Sequence, residues 1–109
     1  MKLSTKKQTV IVMSFIEAHI ELYQELNINT ICDAFGYNRG TATNYLNRYK
    51  ELKPSNLRYL LEGTKSRYVR GISFERLVLE GSALEFLNMV DALYSDAALQ
   101  RFEERYSLT

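Results

Sequence analysis

A mainly α-helical fold with one small β-hairpin is what this sequence predicts, and three observations predict it. Apolar residues recur every three or four positions from Val10 to Leu26 and again from Ala83 to Tyr94. The stretch from Ile28 to Arg48 has the spacing of two short helices packed across a tight turn. After Pro54 the period shortens, and Asn56 to Leu61 and Lys65 to Val69 read as strands separated by Glu62, Gly63 and Thr64. Together these make a winged helix-turn-helix with additional carboxy-terminal helices. It is expected as a single domain over residues 1–109, with the helix-turn-helix at about 28–52 and the wing at about 56–70. A helical dimerisation segment is expected at about 82–106.

The first helix is expected from about Thr5 to Leu26, on the periodicity of Val10, Met13, Ile16, Ile20, Tyr23 and Leu26. Glu17, Glu21 and Glu25, four residues apart, read as its solvated outer surface. Asn27 and Asn29 are suited to ending that helix and capping the next, which runs from about Thr30 to Phe35. Counted from Ile28, the buried positions of a helix-turn-helix fall on Ile31, Phe35, Tyr37, Ala42 and Tyr45, and the close-packing position on Cys32. Gly36 falls in the turn, where a glycine takes positive φ at little steric cost. Asn38 is a natural cap for a third helix, Arg39 to about Leu52, and Pro54 stops it.

In the second strand of the hairpin, Lys65, Arg67 and Val69 alternate with Ser66, Tyr68 and Arg70, so one face is basic while Tyr68 fixes the other to the core. Arg58, on the opposite strand, joins the charged surface. The segment from Gly71 to Gly81 fits a short helical turn or an extended connection equally well. Ser82 caps a further helix with an apolar stripe of Ala83, Phe86, Leu87, Val90, Leu93 and Tyr94. Asp96 caps a last one, with Leu99, Phe102 and Tyr106 on one side.

Bulk properties narrow the function. In 109 residues, 46% hydrophobic and 25% charged, a soluble globular composition argues against wholesale disorder. No run approaches the roughly 18 to 20 apolar residues that span a bilayer, and Lys2, Lys6 and Lys7 are not followed by a long apolar segment with a cleavage site, so a cytoplasmic protein without membrane contact is expected. A lone cysteine, Cys32, forms no internal disulfide, and with only His19 as a soft partner it makes no zinc cage. There is no phosphate-binding glycine loop, no catalytic set around His19, and no evident cofactor or small-molecule ligand, so an enzyme is not expected. The net charge of +1 hides an asymmetry: residues 1–70 hold 11 Lys/Arg against 6 Asp/Glu, and residues 71–109 hold 3 against 7. Within residues 38–70 the balance is 8 to 2, where a nucleic-acid surface would need it.

The run Asn44-Tyr45-Leu46-Asn47-Arg48-Tyr49-Lys50-Glu51-Leu52-Lys53-Pro54-Ser55-Asn56-Leu57, followed by Lys65-Ser66-Arg67-Tyr68-Val69-Arg70 and then Phe74, resembles the winged helix-turn-helix amino-terminal domain of WYL-type transcriptional regulators. The similarity covers about residues 10–95 and is most specific over 45–74. It implies a DNA-binding fold and a regulatory role. The sequence ends at Thr109, so the ligand-sensing WYL domain is expected to be absent, and the resemblance gives no warrant for an effector pocket.

The expected partner is double-stranded DNA, with the third helix in the major groove. The groove-facing candidates are Asn38, Arg39, Gly40, Thr41, Thr43, Asn44, Asn47 and Arg48. Arg39 suits guanine, Asn44 suits adenine and a threonine methyl suits thymine, each contact giving roughly 1 to 3 kcal/mol of discrimination. Thr41 and Thr43 lie about 200° apart on a helix, so one of them faces the backbone. Arg48 has a packing or pairing role inside the domain as its other reading. Lys50, Lys53, Arg58, Lys65, Arg67 and Arg70 suit phosphates, with ion pairs to Glu51 and Glu62 as the competing use. Tyr23 and Tyr45 fall at core spacing, and Tyr37 is open to packing or base stacking. A homodimer through the carboxy-terminal helices would read two half-sites. The rival reading is a winged-helix protein-interaction module, an adaptor or anti-repressor, that does not bind DNA. Single-stranded nucleic-acid binding is weaker still, because the aromatics fall on core positions.

Overall fold

The computed structural model describes residues 5–106. Helix α1 (Thr5–Tyr23) is the axis of the fold. Its middle turns are covered on most sides: Val12, Ile16, Ala18 and Ile20 are fully buried, and Met13 and Phe15 nearly so. The helix stops three residues before the expected Leu26, because Gln24 takes a left-handed conformation (φ 68) and turns the chain into a short strand, β1 (Glu25–Leu26). That turn buries Leu26 but leaves Tyr23 exposed, so Tyr23 is not a core residue. Val10 is also exposed.

Helix α2 (Ile28–Phe35) begins earlier than expected, because the cap is Asn27, whose Oδ1 accepts the Thr30 N–H at 3.0 Å. Gly36 ends it with φ 71 and donates its N–H to the Cys32 carbonyl at 2.8 Å. Helix α3 (Arg39–Leu52) has the expected bounds, with Asn38 Oδ1 accepting the Thr41 N–H at 2.8 Å, and Pro54 opens a single 3₁₀ turn, Pro54–Asn56. Ile31, Phe35 and Ala42 are buried, while Cys32, Tyr37 and Tyr45 are half-buried. Leu46 and Tyr49, both fully buried, complete the seat of α3 on α1.

The wing pairs β2 (Leu57–Glu62) with β3 (Lys65–Arg70), antiparallel from Leu57↔Arg70 to Glu62↔Lys65, around a two-residue loop that starts with Gly63. It is three-stranded where two strands were expected. The break at Gln24 lets β1 pair with β3 (Glu25↔Val69, Leu26↔Tyr68), giving the order β1-β3-β2 and tying the wing to the end of α1.

Residues 71–82 form neither helix nor strand; they are a strap across α1. Its attachment overturns the expected solvated stripe. Glu17 is fully buried. One of its oxygens accepts the N–H groups of Val78 (2.9 Å) and Leu79 (2.8 Å); the other accepts the Tyr49 hydroxyl (2.7 Å) and the Leu77 N–H. Three consecutive strap amides with no ladder to join require an acceptor, and Glu17, one helical turn from both Met13 and Ile20, supplies it. Asn56 extends the network, donating to the Tyr49 oxygen at 2.8 Å and exchanging hydrogen bonds with the Glu75 backbone at 2.7 and 3.0 Å. Glu21 takes a two-pronged grip from Arg76, both bonds at 2.7 Å, and Arg76 also donates to the Gly81 carbonyl at 2.8 Å. Glu25, the third member, is not on the helix at all.

Helix α4 (Ala83–Tyr94) starts at its expected cap, Ser82. Ala83 and Val90 are buried and Phe86, Leu87 and Tyr94 half-buried against the core, whereas Leu93 is 68% exposed, turned off the arc that faces α1. Helix α5 (Asp96–Tyr106) follows with Phe102 49% exposed. The expected contacts of Leu99 and Tyr106 lie outside the described residues.

Candidate nucleic-acid interface

The faces of α3 follow from its core contacts. Ala42, Leu46 and Tyr49 point inward, so at 100° per residue the opposite arc carries Gly40, Asn44, Asn47 and Glu51, all exposed. Thr43 and Lys50 lie on one flank of that arc, and Thr41 and Arg48 on the other. The Lys50 ammonium sits 5.0 Å from the Tyr68 ring centroid, which identifies the first flank as the one facing the wing. Tyr45 stacks on Tyr37 at 5.5 Å, which sets the second flank against the turn between α2 and α3. Thr41 and Thr43 therefore flank opposite sides of the exposed arc, both half-buried.

Several candidates already have structural partners. Asn38 uses its Oδ1 to cap α3. Arg39, at the start of the helix, donates to Asn29 Oδ1 at 3.1 Å and so leans toward α2. Lys53 is 3.5 Å from Glu75. Arg67 pairs with Glu62 at 3.0 Å and lies 3.4 Å from Glu25. Arg70 stacks on Phe74 at 4.7 Å. The strand register puts Arg58, Lys65 and Arg67 on one face of the sheet, since Arg58 is opposite Val69 and Leu60 opposite Arg67. Arg70 shares the other face with Tyr59 and Tyr68, away from that basic surface. Arg48, Arg58 and Lys65 are exposed and carry no ion pair among the described residues.

The aromatic residues form a packed ladder. Tyr37 lies between Phe35 and Tyr45, each ring centroid 5.5 Å away, and its hydroxyl accepts from Gln8 at 2.6 Å. Burial pushes its phenol pKa up. This settles Tyr37 as packing and removes it from base stacking. Phe35 continues the ladder to Phe15 and Tyr94 in edge contacts. His19 sits between Phe15 and Tyr23, with Nδ1 2.8 Å from the Glu25 carbonyl, and burial lowers its pKa below 6.5. On the strap, the Arg76 hydrogen bonds hold the Glu21 carboxyl below its usual range. Burial also pushes the Tyr49 phenol far up, which keeps it a hydrogen-bond donor to Glu17.

Sequence reading missed Glu51 in the middle of the exposed arc of α3, Asn29 as the partner of Arg39, and the Glu17–Tyr49–Asn56 network. The 42-46-49 spacing carries the signal for Tyr49, and the position of Glu17 between Met13 and Ile20 carries the signal for its burial. Among the described residues no group of three metal-ligating side chains occurs, and no helix is long and apolar enough to cross a membrane. The family model described as the BrxR transcriptional regulator winged helix-turn-helix domain matches residues 9–92. No curated protein matches the chain.

Proposed function

The chain belongs to the BrxR transcriptional regulator winged helix-turn-helix domain family, and from that premise we propose that it binds double-stranded DNA sequence-specifically, with α3 in the major groove and the wing on the phosphate backbone. The observation that carries this reading is the exposed polar arc of α3, flanked by cations on both sides and backed by a buried seat of Ala42, Leu46 and Tyr49. Asn44 and Asn47 have the amide groups that pair with adenine edges, and Gly40 lets the backbone approach the groove closely. Thr43, on the wing side, supplies a methyl to a thymine, while Thr41 and Arg48 on the far flank meet phosphates. Arg58, Lys65 and Lys50 supply phosphate contacts on the wing side; Lys53, Arg67 and Arg70 contribute after loosening their present partners. Glu51 accepts from a cytosine amino group or else limits how far α3 enters the groove.

One such module reads few base pairs, so we also propose a homodimer. Met89 and Leu93, exposed one turn apart on α4, are the apolar contact for it. A molecular mass of one chain by sedimentation at micromolar concentration would remove this part of the reading and leave the DNA site intact.

Titration of random duplex DNA at several salt concentrations tests the function. Neutralisation of several phosphates predicts a linear fall of log K with log salt, losing orders of magnitude between about 50 and 200 mM. Absence of binding at low salt would refute the proposal in favour of a winged-helix module that docks an acidic protein.

A further inference from the structure

A cleft of about 530 Å³ opens between the start of α2 and strand β3, where the helix-turn-helix meets the wing. Cations from separate elements line it: Arg39 from the start of α3, and Lys65 and Arg67 from β3. Glu25 is the one acidic residue on its wall, and Glu62 reaches Arg67 from outside it, so three cations face two carboxylates and positive charge prevails; His19, also on the wall, is held toward its neutral form by burial. Donors remain unused. The Arg67 Nε is shielded from solvent without a hydrogen-bond partner, its distance of 3.4 Å to Glu25 being an ion-pair contact only. Arg39 spends one nitrogen on Asn29 and keeps the rest of its five-donor fork. The Ile28 and Asn29 amides, first in α2, have no intrahelical acceptor, and both residues line the same cleft.

We propose that this cleft seats one phosphate of the DNA backbone, bridging the helix-turn-helix and the wing, and that Arg39 is a phosphate clamp and not a base reader. The proposal rests on the DNA-binding reading above. It changes the role that the residue's place at the head of a recognition helix suggests. At 100° per residue Arg39 lies about 100° from Gly40 and close to the inward arc of Ala42 and Leu46, and its bond to Asn29 draws the guanidinium toward α2 and away from the groove face. A tetrahedral phosphodiester matches what lines the cleft: a guanidinium fork, an ammonium group and the first residues of a helix, whose backbone N–H groups lack intrahelical acceptors.

The experiment compares wild-type protein with Arg39→Gln and Arg39→Lys on a preferred duplex and on random duplexes across a salt series. Arg39 is exposed, and equal thermal melts of the three proteins establish that the fold is unchanged. Arg39→Gln is expected to weaken preferred and random duplexes by the same factor, about tenfold, and to lower the magnitude of the log–log salt slope by about 0.9, the signature of one lost phosphate contact. Arg39→Lys is expected to recover most of both, since a point charge still holds phosphate but cannot make a bidentate guanine contact. Loss of preference with an unchanged salt slope, or no change in affinity, would overturn the proposal. Failure of the wild-type protein to bind any duplex would refute the function itself, a separate result. The Ile28 and Asn29 amide resonances identify the source of the phosphate. Their movement on adding duplex supports the proposal, whereas a response to inorganic phosphate alone, with none to duplex, would overturn it in favour of a free anion.

Discussion

Replacing Glu17 by alanine removes the acceptor on which four donors converge: the buried Tyr49 hydroxyl and Leu79 N–H and the partly buried N–H groups of Leu77 and Val78. A fully buried donor left unmade costs about 1–3 kcal/mol, so four set a ceiling of about 12 kcal/mol, which the partial burial of two of them lowers. Two further effects lower it. The substitution also relieves the desolvation of the carboxyl group, and the strap, held further by Arg76 and Asn56, can part enough to admit water to the amides. A net loss of about 3 kcal/mol results, a large share of the ~5–15 kcal/mol that holds a small domain folded. In a thermal melt followed by circular dichroism this lowers Tm by on the order of 10 °C. Tyr49→Phe removes one donor to Glu17 and the acceptor for Asn56, and is expected to cost about 1–2 kcal/mol. Because both changes act on one network, the double variant should lose less than the sum of the singles. Faster hydrogen exchange at residues 77–79 should accompany Glu17→Ala. A Glu17→Ala protein within about 0.5 kcal/mol of wild type, or strictly additive losses, would refute the network as the strap's fastening.

Gly71→Ala is expected to destabilise by at least about 2 kcal/mol in denaturant unfolding, because a Cβ there would lie 1.9 Å from the Ser55 carbonyl oxygen and backbone would have to move. A wild-type midpoint would mean that the exit from β3 does not press on the 3₁₀ turn. His19 makes stability depend on pH. Its folded-state pKa lies below 6.5, chiefly from burial, so the unfolded chain binds more protons between about 6.5 and that lowered value, and stability falls as pH drops through this window. Wild-type protein should thus lose more stability than His19→Gln between about pH 7.5 and 5.5, and equal losses would contradict the assignment. Glu21, held down by its hydrogen bonds to Arg76, contributes stability above about 4.5 that is lost as pH falls through its lower folded value. Asn44→Ala should reduce discrimination between sites, while Arg58→Ala should weaken all sites alike, and the reverse pattern would mean that helix and wing roles are exchanged.

Helix α3 was legible because its punctuation is local. Asn38 offers a capping oxygen, Pro54 lacks an N–H, and both act on neighbours within one turn. The hairpin was legible for the same reason, through Gly63 and the alternation of Lys65 to Arg70. What escaped depends on contacts far apart in sequence. Glu17, Glu21 and Glu25 have the spacing of a solvated stripe, but the strap, some sixty residues later, determines that Glu17 is buried. The third strand escaped because its two residues continue the apolar period of α1, and only the left-handed Gln24 separates them from it. At the candidate site, residue types were legible and orientations were not. Nothing local to Arg39 indicates that it leans on Asn29, and nothing local to Arg67 indicates that Glu25 reaches it from another strand.

Selection of bound duplexes from a random pool tests the central claim, that α3 reads base edges while the wing and the cleft hold the backbone, most directly. Enrichment of a short recurrent sequence is expected, with Asn44→Ala relaxing particular positions and Arg39→Gln recovering the same sequence from fewer bound molecules. Half-sites about 34 Å apart, one helical turn, would add the dimer. A pool bound without any enriched sequence, or a preference that shifts with Arg39→Gln and not with Asn44→Ala, would contradict it.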